Sequence, residues 1–274
     1  MHIEVTGDAA RFLADAEPWL RRDPLRHTVI TTSLANQVRG RFSGTKFLSV
    51  RADGGRVLGV AQCTADGRAY LDDLPETGIS SVTEALMAHC GPLRSVEGAA
   101  AEVDAFVAHW AQAHGTHRKD YSARLFRLGR LSIPAAPGAA RPAEERDTDL
   151  CLDWVHAFDA EIGAARRLAR AAAQRLIEAG LWWVWEADGT PTAFAARQAA
   201  VFGWARIGPV YTPPPLRGQG YASALTAAVA GRIRAEGADV CLFTDLANPT
   251  SNKIYQAIGF EPVRDFVNHE LIAG

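Results

Sequence analysis

The sequence predicts a mixed α/β fold of the α+β kind, in two halves, each a central mixed, mostly antiparallel sheet flanked by helices. Three observations carry that expectation. Residues 132 to 147, "SIPAAPGAARPAEERD", break the composition with proline, glycine, alanine and charge and show no apolar period, which marks a linker. Residues 148–274 read as helix, helix, three strands, helix, strand, helix, strand. Residues 1–131 offer a similar order. With 274 residues and 48% hydrophobic composition, the chain suffices for two modest domains.

In the second half, Leu152, Val155 and Phe158 recur at helical spacing over 148–160, and a second helix covers 164–179. "LWWVWEADG" (181–189) is a strand entering a turn at Asp188-Gly189; "TPTAFAARQAA" and "GWARIGPVYTP" are the next two strands. A glycine turn leads into a helix over about 219–236, with Tyr221, Leu225, Ala228, Val229 and Ile233 as its apolar stripe. "ADVCLFTDL" (238–246) is continuously apolar, as in a strand buried on both faces. "NPTSNKIYQAIGF" is a short helix stopped by Gly259, and "EPVRDFVNHELI" a final strand. The first half offers a strand near 2–5, helices within 8–38, and strands at 46–51, 56–63 and 68–74. A helix at 79–90, a strand at 93–96, a helix at 101–114 and a strand at 121–129 follow.

The stretch "PLRGQGYASALTAAV" (215–229) carries the chemistry. Between a strand and a helix, successive backbone N–H groups point into one concavity at the positive end of the helix dipole, which makes an anion site. Gly218 and Gly220 let the backbone approach a diphosphate, Ala222 keeps the first turn slim, and Arg217 can add a charged contact. A P-loop lacks its lysine and its spacing here. A dinucleotide turn belongs after the first strand of a βαβ unit, whereas "GQGYAS" ends in serine and sits late in the chain. A helix start whose glycines serve only packing is the plain alternative.

The line "RxxGxA" (Arg217, Gly220, Ala222) resembles the acyl-coenzyme A pyrophosphate loop of the GNAT superfamily of N-acetyltransferases. Downstream, Asn248, Tyr255, Gly259 and Phe260 resemble that family's second signature, in which an asparagine precedes a tyrosine by seven positions. The resemblance covers roughly 148–270; in the first half the matching position reads "PETGISS", so that half resembles a degenerate copy. The resemblance implies acetyl-coenzyme A as co-substrate, with pantetheine held by the backbone of Val210, Tyr211 and Thr212 and the diphosphate on Arg217, Gly218, Gln219, Gly220, Tyr221 and Ala222. Asn248, Ser251, Asn252 and Tyr255 recur at i, i+3, i+4 and i+7, one polar line on the short helix. The resemblance gives Asn248 a hydrogen bond to the cofactor and sets the Tyr255 hydroxyl near the thioester sulfur, as general acid. A backbone N–H near Val210 or Tyr211 would stabilise the oxyanion, since Pro209 has none.

The general base stays open. The strand before the loop has no carboxylate; Glu161 and Asp245 are the candidates, with Asp159 nearby and a water relay as the alternative. Trp182, Trp183, Trp185, Phe202 and Trp204 read as sheet packing before an acceptor pocket. His109, His114 and His117 fit no metal spacing, and no metal is expected. Arg166, Arg167, Arg170 and Arg175 read as a solvated helix face. Cys63, Cys90, Cys151 and Cys241 make no CxxC pair and read as small buried hydrophobes in a reducing compartment. A net charge of −2, no signal peptide and no spanning segment predict a cytoplasmic protein without nucleic-acid or membrane partners. The expected activity is direct transfer of an acetyl group to a small-molecule or peptide amine, with no cysteine in either signature to carry it covalently. The first half is expected to shape the acceptor cleft or a homodimer surface. A non-catalytic acyl-coenzyme A sensor and a protein-interaction module are the rival classes.

Overall fold

The structure, a computed structural model, describes residues 1–164 and 168–274. Its elements run β1 (His2–Thr6), α1 (Ala9–Leu20), α2 (Thr28–Val38), β2 (Lys46–Arg51), β3 (Val57–Cys63), β4 (Arg68–Asp72), α3 (Ile79–Cys90), β5 (Ser95–Gly98), α4 (Ala100–Trp110) and β6 (Gly115–Leu128). There follow β7 (Ala139–Pro142), α5 (Thr148–Glu161), α6 (Arg170–Glu178), β8 (Trp182–Ala187), β9 (Thr190–Arg197), β10 (Trp204–Tyr211), α7 (Tyr221–Ala235), β11 (Asp239–Asp245), α8 (Pro249–Ile258) and β12 (Phe260–Ala273). The expected mixed α/β architecture is therefore present. Two compact units divide the chain. One comprises Met1–Leu125, Thr244–Asn248 and Val263–Gly274; the other comprises Phe126–Phe243 and Pro249–Pro262.

In the first unit the strands lie in the order β1-β2-β3-β4-β5-β12-β6. All these neighbours with a recorded register are antiparallel except β4 and β5. Leu48, Val50, Ala61, Leu71 and Val96 meet Val82, Leu86, Val103, Phe106 and Trp110 in one buried cluster, so α3 and α4 cover one sheet face. The Asp8 carboxylate caps α1 by accepting from Ala10 and Arg11 N–H at 3.1 and 3.0 Å.

In the second unit the order is β11-β10-β9-β8-β7. Alternation along the strands divides the sheet faces. Val184, Phe194 and Ala196 pack with α5 and α6, through Cys151, Trp154, Ala173 and Ile177. Ala193, Ala195, Ala205 and Ile207 pack with α7. The facing helix residues Ala224, Ala227 and Ala230 are small, which seats α7 close to the sheet. Trp182 and Trp185 are buried in these two cores, and Trp182 meets the edge of Phe194 at 5.1 Å.

Two boundaries differ from the sequence expectation. The stretch 148–274 does not form one unit, because Val263–Gly274 joins the first. There β12 runs antiparallel to β5, from Val267↔Gly98 to Glu270↔Ser95. Arg124 clasps Asp265 through two hydrogen bonds, of 2.6 and 2.8 Å, and one imidazole of the His117–His269 pair donates to the other at 3.0 Å. The supposed linker 132–147 contains β7, an edge strand on β8 from Ala139↔Glu186 to Pro142↔Trp183. Edge pairing uses backbone groups and tolerates proline, so no apolar period announced it. The helix expected over 164–179 is seen as α6 alone; Arg166 and Arg167 lie outside the described residues.

Candidate functional site

In the second unit, β10 is parallel to β11 from Trp204↔Asp239 to Ile207↔Leu242. Among the described residues the pairing ends there, although β10 continues to Tyr211 and β11 runs past Leu242. Against β9 on its other side, β10 holds a bulge: Ile207 faces Arg197, Val210 faces Ala195, and Gly208 and Pro209 together oppose Ala196. A bulge turns the strand and re-aims its peptide groups. Gly208–Tyr211 therefore lack a ladder partner on the β11 side.

The strand runs through Thr212 into a single 3-10 turn at Pro214–Leu216 and then the glycine loop. Gly218 and Gly220 adopt φ of +82° and +83°, a left-handed region that an L side chain enters only with strain. A Cβ at Gly218 would meet nothing within 4 Å; at Gly220 the nearest atoms would be Ala135 O and Ala136 Cβ, both at 3.8 Å. The glycines are thus required by conformation rather than by packing. Arg217 to Gly220 are exposed, and no side chain caps α7. The N–H groups of its first turn have no intrahelical acceptor, which leaves them to an anion. These features fit a diphosphate.

Arg217 does not face that anion position alone. Its Nη2 donates to both Glu161 oxygens at 2.6 and 2.8 Å, its Nε donates to Thr212 O at 2.9 Å, and its guanidinium lies 5.7 Å from the Tyr211 ring centre. The Tyr211 hydroxyl is 3.5 Å from Glu161 Oε1. Burial, then the Glu161 charge, pushes the Tyr211 phenol upward. Sequence reasoning had named Arg217 and Glu161 for separate tasks; the fold joins them. Gln219 Oε1 accepts from the Tyr221 hydroxyl at 3.0 Å, and Ala222 sits half-buried in the first turn of α7.

On α8, Ser251, Asn252 and Tyr255 are half-buried. Tyr255 packs edge-on against Phe260 at 6.1 Å, and burial pushes its phenol up to about 12. It is a neutral hydrogen-bond donor at any physiological pH. Asp245 and Asn248 fall in the first unit. Asp245 makes a turn there: its carboxylate accepts from Ala247 N–H at 2.8 Å and its carbonyl from Asn248 N–H at 3.1 Å.

Several buried polar atoms of the second unit, Arg197 Nε and Thr226 Oγ1 among them, were not singled out from sequence. Thr212 Oγ1, on a residue named only for its backbone, and His156 Nε2 are each buried without a hydrogen-bond partner among the described residues. A lone histidine on an amphipathic helix gives no sequence signal. Among the described residues no cluster of three or more His, Cys, Asp or Glu could hold a metal ion. None of their helices is long and apolar enough to cross a membrane.

Residues 187–267 match the FR47-like protein family. The whole chain resembles an acetyltransferase of the GNAT family from Colwellia psychrerythraea, at 15% identity over 99% of this chain and 100% of that one, with a TM-score of 0.59. It resembles a tandem GNAT protein from the clavulanic acid biosynthesis pathway at 16% identity, over 100% and 99% of the two chains, with a TM-score of 0.58. A GCN5-related N-acetyltransferase from Sphaerobacter thermophilus matches at 18% identity over 82% and 80%, with a TM-score of 0.60. No curated protein matches the chain. The fold is that of the tandem GNAT acetyltransferases.

Proposed function

We propose that the protein is an N-acyltransferase that moves an acetyl group from acetyl-coenzyme A to a primary amine, by direct attack in a ternary complex. One observation carries the reading: β10 loses its parallel partner after Ile207 and leads straight into a loop whose two left-handed glycines open the start of α7. An extended amide-bearing arm would pair with Gly208–Thr212, and its diphosphate would take the N–H groups of Gly218–Ala222. The buried, unpartnered Thr212 hydroxyl supports a polar ligand beside that strand.

The acceptor nitrogen attacks the thioester carbonyl. A backbone N–H of Val210 or Tyr211 stabilises the oxyanion, Pro209 having none to give. The carbon–sulfur bond then breaks, and the leaving sulfur takes a hydrogen bond from Tyr255. With the phenol at about 12 and a thiol near 8.5, complete transfer from tyrosine to thiolate is uphill, so Tyr255 acts chiefly by donating a hydrogen bond. Ser251 and Asn252 would bind the arm from α8. Glu161 receives the amine proton, directly or through water, once Arg217 turns from it to the diphosphate. Asp245, engaged in its turn, is the weaker candidate.

Calorimetric titration with acetyl-coenzyme A, with NAD as control, tests the site; release of free thiol in an amine screen tests the reaction. Micromolar binding with amine-dependent thiol release is expected. Equal binding of NAD, or no binding of acetyl-coenzyme A, would overturn the assignment of the loop.

A further inference from the structure

The first unit holds a pair of imidazoles that the transfer reaction does not use. β6 and β12 are neighbours in its sheet, and His117 and His269 meet across them. Their Nδ1 atoms stand 3.0 Å apart, with ring centres 5.1 Å apart and planes inclined at 33°. His269 is 8% exposed and lies opposite Val96 in the β5–β12 register, whereas His117 is open to solvent. Arg118 donates to Glu270 beside the pair, a second tie between the same two strands. One imidazole is thus seated in the sheet, and the other reaches it from the surface.

This separation matches the bite of a metal site. A transition metal sits about 2.0 Å from an imidazole nitrogen. Two nitrogens 3.0 Å apart then subtend about 95° at the metal. A tetrahedral ion wants about 109°, with its nitrogens about 3.3 Å apart, whereas a square-planar ion wants about 90°. The pair therefore suits a tetragonal ion, and among divalent ions of that geometry Cu(II) binds nitrogen most tightly. Without metal, one Nδ1 carries a proton and the other accepts it in a hydrogen bond. Ligation needs both Nδ1 lone pairs, so the donating ring passes its proton to Nε2, a change of tautomer without a change of charge. The exposed His117 ring can turn to bring both lone pairs onto one point. Burial, then His117, with Lys119 adding to them, pushes the His269 imidazole downward against the pull of Asp104. That favours the neutral form, which is the ligating one.

We propose that His117 and His269 form a two-imidazole chelate for Cu(II), with water filling the remaining positions on the exposed side of His117. No spacing in the sequence announces it, because the ligands lie 152 positions apart on separate strands. Occupied, the site would fasten β12 to β6 within the first unit.

The test titrates Cu(II) into untagged protein by calorimetry at about pH 7.5, in a His2→Ala background that removes the amine–imidazole chelate an amino-terminal Met-His can offer. Cu(II) should bind and broaden the ring NMR signals of His117 and His269 ahead of those of the other histidines. His117→Ala and His269→Ala should each weaken this binding at least about tenfold. Binding should fade as pH falls below about 6, where the imidazoles take up protons, and Zn(II) should bind less tightly than Cu(II). Full affinity in His117→Ala would overturn the proposal, as would broadening of other histidines first or tighter binding of Zn(II). Should His269→Ala fail to fold by circular dichroism, the surface variant His117→Ala and the NMR signals of the intact pair decide.

Discussion

Two segments hold the same place in the element order, the turn before α3 and the turn before α7, and they are built for opposite ends. In the first unit β4 and β5 stay together: a Cβ on Gly98 would stand 3.1 Å from Leu71 O. At the end of β4, Asp72 is buried against His27 Nδ1 at 2.8 Å and Arg26 Nε at 3.2 Å. Arg26 also holds Asp73 at 2.6 Å and Glu102 at 3.0 Å, while Trp19 stacks on His27 at 4.2 Å. Gly78, the glycine of that turn, has an ordinary φ of −97°. In the second unit β10 leaves β11, and Gly218 and Gly220 take left-handed dihedrals in the open. The same order of elements thus comes with a closed turn in one unit and an open glycine loop in the other. What marks the candidate site is where two parallel strands stop pairing and which glycines turn left-handed.

The contrast is broken most sharply by a charge in the loop. Gly220→Glu combines strain at φ +83° with repulsion of phosphate and should weaken acetyl-coenzyme A binding by about 100-fold or more, read by calorimetry. Gly78→Ala would crowd Pro75 Cγ at 3.2 Å and Val50 Cγ1 at 3.3 Å. It should cost about 1–2 kcal/mol of stability while leaving donor affinity alone. If Gly78→Ala weakened donor binding as Gly220→Glu does, the two turns would not differ as argued. Next in size, Tyr255→Phe should keep the donor Kd and lower kcat about 100-fold, read by thiol release.

The loop and its helix were legible because backbone requirements leave residue types behind: glycine where φ is positive, alanine where a helix sits close to a sheet. The strand and helix order was legible from apolar period for the same reason. The Glu161–Arg217 contact was not, since it joins the end of α5 to a turn far along the chain and either residue reads alone as surface charge. Nor was the pairing of β12 with β5, because a strand's period gives its faces and not its partner.

The cluster around Arg26 offers a smaller test. Burial, opposed by Arg26, pushes Glu102 up to about 7 from an ordinary 4.5. A carboxyl raised on folding stabilises the fold while protonated, fully below about pH 4.5, and that contribution is lost as pH climbs to about 7. Glu102→Gln should flatten this window and be more stable than wild type at pH 8 by up to about 3 kcal/mol, read by urea unfolding at pH 5 and pH 8. The smallest effect on donor affinity belongs to Glu161→Gln. Both partners of the pair are near half exposure, so freeing Arg217 should tighten donor binding only about two- to fivefold. A weaker donor Kd in that variant would mean that Glu161 orders the loop rather than occupying its arginine.

The crossing of β12 sets a schedule for synthesis. Residues 267–270 lie against Ser95–Gly98, so the sheet of the first unit lacks its penultimate strand until the ribosome has read through residue 270. The body of the second unit, Phe126–Phe243, emerges earlier as one run. The half translated first is therefore the half finished last. Until then β5 and β6 wait with unpaired edges, a term of exposure during which a chaperone has reason to hold the nascent chain.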